Sequence, residues 1–317
     1  MDYAVCAIGS AGFHLSHVAQ AVLEVLKSLH RGPRPAPSKA PSQQLTIPSV
    51  DGQLNVRGKP ATFGMENWLN LLGCSSDQIE LPSCVHVAGT KGKGSTCAYV
   101  ECLLRQHGRR TGRPRKTGLY TSPHLNNVQE RIRINFEPLS EDKFVEYVSD
   151  VYQTLKIPML GSDGPKCLQF LFLVSLHAFI QEGVEVAICE THHGGEIDAT
   201  SIISRPLVTA ITPIDRDHIN DLGPTLRHVV WHKSGILKPG LPDLARILEN
   251  RAEEQGVTLQ LVDSDPLLSL DVPEAESPVQ LADFSLACAS WLHWYDEIPE
   301  RISLRSATLF AIRSHRA

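Results

Sequence analysis

The chain has 317 residues, 42% hydrophobic and 21% charged, a mix that supports a globular core and excludes a fibrous or wholly disordered chain. Its formal net charge of -5 gives no electrostatic ground for a nucleic-acid partner. No apolar run approaches the roughly 18–20 residues of a membrane span, and eight cysteines placed singly, with no C-x-x-C pair, favour a reduced intracellular compartment.

In chain order, the N-terminal stretch MDYAVCAIGSAGFHLSHVAQ lacks the basic start of a secretory signal and has no arginine before Arg31. A cytoplasmic location is expected, with a mitochondrial one left open. Leu15, Val18, Val22, Val25 and Leu29 recur at helical spacing, so residues 1–30 read as a helical segment from His14 to Leu29. Residues 31–61 carry prolines at 33, 35, 37, 41 and 48 and read as a disordered insert. Met65 to Leu72 fits a short helix. Cys84 to Val87 fits a buried strand, followed by a glycine-rich loop. Ser95 or Thr96 is the expected cap of a helix with Val100, Leu103 and Leu104 on one face, ended by Gly108. Further strands are expected at Gly118–Tyr120, Val184–Cys189 and Leu207–Thr212, with helices at Phe170–Gln181 and Leu226–Ile236.

Strand–helix alternation with near-continuous apolar strands predicts an α/β fold, a mostly parallel sheet covered by helices on both faces. Such folds bind ligands at the carboxyl ends of their strands. The loop HVAGTKGKGST, residues 86–96, lies at one such end. Gly89, Gly92 and Gly94 permit a tight turn with inward backbone N–H groups, and the following helix adds its positive end. Lys91 or Lys93 could reach a β- or γ-phosphate, and Thr90, Ser95 and Thr96 add hydroxyls. The stretch departs from the usual Gly-x4-Gly-Lys-Ser/Thr spacing, because Val87 stands at the first glycine and Gly94 follows Lys93. A plain glycine-rich turn with exposed lysines is the competing reading. The order strand, glycines, lysine, hydroxyls and amphipathic helix argues against it.

GTKGKGST after HVA, then TGLYTSPHL, ERIRIN, GGEIDATS, the DH of DRDHINDLG and HKSGILKPG, resemble the folylpolyglutamate synthases of the Mur ligase superfamily. That family uses a shifted phosphate loop, G-T-x-G-K-G-S, which Gly89, Lys93 and Ser95 match. The resemblance runs from about residue 62 to 262, with a fainter echo to about 292. It implies a P-loop NTPase-like Mur ligase central domain over residues 62–265, ATP and Mg²⁺ as cofactors, and folate and L-glutamate as substrates. The nucleotide is expected on residues 89–96 and Mg²⁺ on Ser122, Glu190 and His218. Lys93 and Lys233 are the expected catalytic lysines, the second as a carbamate formed with carbon dioxide. From chemistry alone, Glu190 closes the apolar run VEVAICE and is well placed to hold Mg²⁺. A serine before proline is an ordinary turn former, a histidine is not the natural partner of Mg²⁺, and Lys233 looks like any helix lysine.

The implied reaction joins the α-amine of L-glutamate to the γ-carboxyl of a folylpolyglutamate through an acyl phosphate formed from ATP. Alternatives are a non-catalytic nucleotide-binding relative, or an amino-acid ligase acting on another carboxylate such as dihydropteroate. A monomer without nucleic-acid or membrane partners is expected. Several departures from the family bear on this. His192 and His193 stand in a run the family keeps small, and could form a new metal site with His218. Ser201 stands for an asparagine, and extra basic residues fill GRRTGRPRKTGLY. A strand following KPGLP is missing. Residues 266–317 read as a remnant of the start of the family's C-terminal domain, largely missing here, with Asp283 where asparagine is expected and a divergent tail after Trp291.

Overall fold

The computed structural model of the chain describes residues 24–26, 29, 45–47, 54–56, 60–73, 83–156, 164–204, 206–223, 225–236, 258–262, 283, 285–290 and 308–312. Of the expected helix from His14 to Leu29, residues 24–26 are helical and most of the rest lies outside the described residues. The stretch expected to be disordered holds a short hairpin, β1 (Leu45–Ile47) against β2 (Leu54–Val56), paired antiparallel. The prolines of this stretch argue for disorder, but Asp51-Gly52 between two short apolar runs is a turn signal in the sequence.

Strands β3 (Ser83–Ala88), β4 (Thr117–Tyr120), β7 (Val186–Glu190) and β8 (Val208–Ile211) form the parallel centre of a sheet. Strands β5 (Ile132–Ile134) and β6 (Glu137–Pro138) extend one edge antiparallel, and β9 (Thr258–Val262) and β10 (Thr308–Ile312) extend the other in parallel. The order across the sheet is β6-β5-β4-β7-β3-β8-β10-β9. The expected mostly parallel sheet is present, with an antiparallel edge. The position between β8 and β9 is filled by β10, drawn from the segment expected to be a divergent tail.

Alternation along the strands sorts side chains to two cores, as the pleat requires. Val85, Val87, Leu119, Val186 and Ile188 face one side, where helix α2 (Lys93–Thr111) and the helical residues 285–290 cover them. Tyr120, Ala187 and Cys189 face the other, under α3 (Glu141–Leu155) and α4 (Cys167–Gln181). Helix α4 is apolar almost all round because it lies deep in that second core, with Phe170, Phe172, Leu173, Val174, Ala178 and Phe179 fully buried. Its Gln169 amide donates to the carbonyls of Ala61 and Phe63, tying in the short helix α1 (Met65–Leu71).

Helix α2 differs from expectation at both ends. It starts at Lys93 with Gly92 as the N-terminal cap, so Ser95 and Thr96 lie in its first turn instead of capping it. It runs past Gly108 to Thr111 and ends on left-handed Gly112, whose N–H bonds the Gly108 carbonyl. Gly108 serves packing: a Cβ there would drive into the carbonyl of Pro114. Helix α5 (Leu226–Ser234), capped by the Thr225 hydroxyl, matches its expected place closely.

Candidate nucleotide and metal site

The carboxyl ends of β4, β7, β3 and β8 lie side by side and supply the site. After β3 the chain enters the glycine-rich loop with Gly89 at φ 142°, a conformation L side chains rarely adopt. A Cβ on Gly89 would fall on the Thr212 hydroxyl at the end of β8. Thr90 fastens the loop to the chain after β8. Its N–H donates to the Pro213 carbonyl (3.1 Å), and its hydroxyl both donates to the Asp215 carbonyl and accepts from the Asp215 N–H at 3.0 Å. Gly92, at φ 83°, then turns the chain directly into α2. The first-turn N–H groups and the helix dipole are thus presented at the strand ends, a place suited to an anion. A Cβ on Gly94 would meet only the Glu190 carboxylate, at 3.5 Å, so the first turn of α2 faces the end of β7.

Lys93 crosses that gap. Its ammonium lies 3.4 Å from the Thr90 carbonyl and 3.9 Å from Glu190 Oε1. Lys91 is exposed and makes no such contact with the site. Of the two lysines left open by the sequence, Lys93 is the one that faces the acidic strand end.

Glu190 is buried, and burial raises its carboxyl above the usual carboxylate range, with Lys93 and the Ser122 N–H opposing that shift. The Ser122 N–H donates to Glu190 Oε2 at 3.1 Å. The Ser122 hydroxyl accepts from Arg131 Nη1 at 2.7 Å, while Arg131 Nε donates to His124 Nδ1 at 2.8 Å. A desolvated carboxylate with one N–H donor and a lysine at the edge of ion-pair distance has acceptor capacity to spare, which suits Mg²⁺ shared with phosphate oxygens. Ser122 and Glu190 are therefore brought together as expected.

His218 sits at the end of the chain following β8 with φ 45°, in the left-handed region. A non-glycine residue held there is an outlier of the kind that clusters at functional sites. Its Nε2 lies 3.4 Å from Asp217 Oδ1, and its ring meets that of His193 edge-on with centroids 4.4 Å apart. Burial lowers both imidazoles, His193 to about 4, so both are neutral at physiological pH. Among the described residues no three His, Cys, Asp or Glu side chains converge as a metal cage. The three-histidine site considered from the sequence does not form, because His192 turns inward. Its Nε2 pairs with the Tyr120 hydroxyl at 2.6 Å and its Nδ1 lies 3.4 Å from Asp198.

Asp198 organises this loop. Its buried carboxylate accepts the N–H groups of His192 (3.0 Å), His193 (2.7 Å) and Thr200 (3.0 Å) and the Thr200 hydroxyl (2.8 Å). Burial alone would raise this carboxyl; the His192 imidazole and these donors instead hold it well below the usual range. Ser201, the departure noted above, donates to the Gly195 carbonyl and so stitches the same loop.

Lys233 is fully buried, unlike the surface lysine its sequence suggests. Its ammonium donates to the Gly89 carbonyl at 2.5 Å and lies 4.0 Å from Asp217. Burial, helped by the nearby charge of Lys93, lowers it to about 8 against the opposing pull of Asp217. Asp283 is the reverse case: buried against Gly92 and Thr96, its carboxyl is pushed up by burial to about 7.

A folylpolyglutamate synthase of Neurospora crassa is 43% identical over 219 residues, which cover 65% of this chain and 42% of that protein. The chain is related to the folylpolyglutamate synthases. A probable folylpolyglutamate synthase of Schizosaccharomyces pombe is 37% identical over 245 residues, 74% of this chain and 48% of the relative. The chain thus spans about half the length of the curated synthases it matches. A solved complex of the synthase with AMPPCP and folate superposes with a TM-score of 0.56 and 27% identity, covering 74% of this chain and 52% of that one. No protein-family model matches the chain.

The roles of Asp198 and Arg131 and the inward turn of His192 go beyond what the sequence predicts. Asp198 had a signal, since Asp-Ala-Thr is the spacing of an Asx cap. Arg131 and the inward turn of His192 had none, because burial of a polar side chain depends on partners distant in sequence.

Proposed function

We propose that the chain binds Mg-ATP on the loop 89–96 and carries out a folylpolyglutamate synthase reaction. In that reaction the γ-carboxylate of a folate attacks the γ-phosphorus of ATP to give an acyl phosphate and ADP. The α-amine of L-glutamate then displaces inorganic phosphate and leaves an amide. The observation that carries this reading is the facing pair Lys93 and Glu190 across the mouth of the loop, supported by the likeness to the synthases. The loop N–H groups and the Lys93 ammonium would stabilise charge on the transferring phosphoryl group, so that the protein acts by positioning and electrostatics. Ser122 and Glu190, with His218 as a third contact, would hold Mg²⁺, which when bound neutralises phosphate charge. The neutral fraction of Lys233 is substantial near pH 8, which is the form that adds to carbon dioxide, losing a proton to give a carbamate.

The test is direct. Purified protein with Mg-ATP, L-glutamate and tetrahydrofolate is expected to release ADP and phosphate and to lengthen the folate by glutamate. Nucleotide binding without folate-dependent ADP release would reduce the reading to a nucleotide-binding relative. Lys93→Ala is expected to abolish nucleotide binding, and unchanged affinity would place the phosphates elsewhere.

A further inference from the structure

We propose that Asp283 belongs to the nucleotide site and holds a proton whenever phosphate occupies the loop, so that nucleotide binding takes up a proton there. The inference rests on the assignment of the loop 89–96 to phosphate.

The geometry is specific. Asp283 is only 1% exposed, and a Cβ on Gly92 would land on its carboxyl group. Gly92 caps α2, so this carboxyl stands at the very end of the helix where the polyphosphate would approach. Among the described residues neither Asp283 Oδ1 nor the buried Thr96 hydroxyl beside it has a hydrogen-bond partner in good geometry. The carboxyl is also pinned. Leu286 and Ala287, one turn along, are fully buried against Val85, Val87, Cys97 and Val100, which leaves little room for Asp283 to swing to water.

The surroundings offer an anion little support, the Thr96 hydroxyl alone favouring the ionised form against burial. From α2 the carboxyl faces the Thr96 hydroxyl and the Cys97 thiol, itself pushed up by burial and, in part, by Asp283. From the sheet, β3 and β8 contribute the apolar Val85, Val87, Val208 and Ala210 to the cluster that holds Leu286 and Ala287, one turn from Asp283. Lys91 and Lys93 are the cations of the same loop, yet only burial and Thr96 move the Asp283 carboxyl, to about 7. An ionised Asp283 would set a second negative charge against a polyphosphate in a desolvated place. A protonated one removes that repulsion and supplies an O–H donor. Binding of a polyanion therefore favours the protonated form, and by linkage the proton favours binding.

Calorimetry of the full chain with Mg-AMPPCP, in buffers of differing ionisation enthalpy between about pH 6 and pH 8.5, reads the proton directly. The wild-type protein is expected to take up a fraction of a proton per nucleotide near neutrality. Its affinity should fall by up to about tenfold per pH unit above the titration, relative to Asp283→Asn and Asp283→Ser. Titrations of Lys233 and of the nucleotide are common to all three proteins and cancel in the difference. Equal uptake and equal pH slopes in wild type and variants would overturn the role of Asp283 while leaving the loop assignment intact. So would a wild-type protein that binds without uptake beyond that of the nucleotide itself, a result that needs no variant to fold. Failure of the wild-type protein to bind at any pH would overturn the loop assignment and this inference together.

Discussion

Replacing Asp198 by asparagine is the sharpest test of how the loop between β7 and the 3₁₀ turn Ala199–Ile202 is held. The carboxylate accepts four hydrogen bonds, two on each oxygen, from the His192 and His193 N–H on Oδ2 and from the Thr200 N–H and hydroxyl on Oδ1, and the His192 Nδ1 lies 3.4 Å from Oδ1. An amide keeps one oxygen and turns an NH₂ toward the other pair. Placed at the Oδ2 side, that NH₂ confronts two backbone N–H groups. Placed at the Oδ1 side, it confronts one, and the Thr200 hydroxyl can rotate to accept. The cheaper orientation still orphans one buried N–H, at about 1–3 kcal/mol, and weakens three bonds that had a charged acceptor. A loss of about 2–4 kcal/mol is expected at pH 7. Because the folded carboxyl lies below its unfolded value, this stability is fully present above about pH 4 and fades as acid protonates it. With a urea slope of roughly 2–3 kcal/mol/M for a chain of this size, the midpoint should fall by about 1 M. Wild type and variant should converge in acid. A midpoint within about 0.2 M of wild type at pH 7 would show that the four bonds do not hold the loop.

Other perturbations probe separate parts of the structure. Gly92→Ala forces a left-handed L-residue and a Cβ into the Asp283 carboxyl, so it should cost at least about 1–2 kcal/mol in a thermal or urea melt and weaken nucleotide binding. Thr117→Val removes the 2.8 Å bond to the buried Glu101, whose carboxyl burial already raises. The cost should be about 1–2 kcal/mol and larger at pH 8 than at pH 5, since ionised Glu101 loses more than the protonated form; a pH-independent difference would contradict the assignment. With ¹³C-labelled bicarbonate, the protein should show a carbamate carbon resonance that Lys233→Met abolishes and that grows as pH rises through about 8, where the amine becomes neutral.

Legibility in the sequence followed how local each signal was. The strand–loop–helix around Lys93 is readable because glycines, lysine and the apolar strand are adjacent, although the helix cap, Gly92, lies three or four residues before the expected Ser95 or Thr96. Left-handed Gly92 ends the loop without any side-chain signature. Helix α3 is not among the expected elements, although Phe144, Tyr147, Val148, Val151 and Leu155 keep helical spacing after the Ser140 cap. Glu190 could be found because a strand end is a local pattern. Lys233 and Asp283 could not be judged from the residues around them. Each is an ordinary member of an amphipathic run until the sheet buries it against a loop more than a hundred residues away.

That distance gives the two residues a common meaning. Lys233 grips the loop at the Gly89 carbonyl, and Asp283 presses on it at Gly92, three residues along. Burial moves them in opposite directions, the amine down to about 8 and the carboxyl up to about 7, because in each case desolvation disfavours the charged form. Near neutrality the loop is therefore flanked by a largely protonated amine and a half-protonated acid. Raising the pH takes a proton from both, and each loss makes the surroundings of the loop more negative. A phosphate-binding loop framed in this way should hold polyanions best just below pH 7 and lose them on the alkaline side in two steps. The lower step belongs to Asp283 and the upper to Lys233. A carbamate on Lys233 would deepen the upper step, since it replaces a cation with an anion and calls for a metal ion to balance it. Removing the carboxyl should erase only the first step, and removing bicarbonate should soften only the second, so the two contributions separate in one pH series.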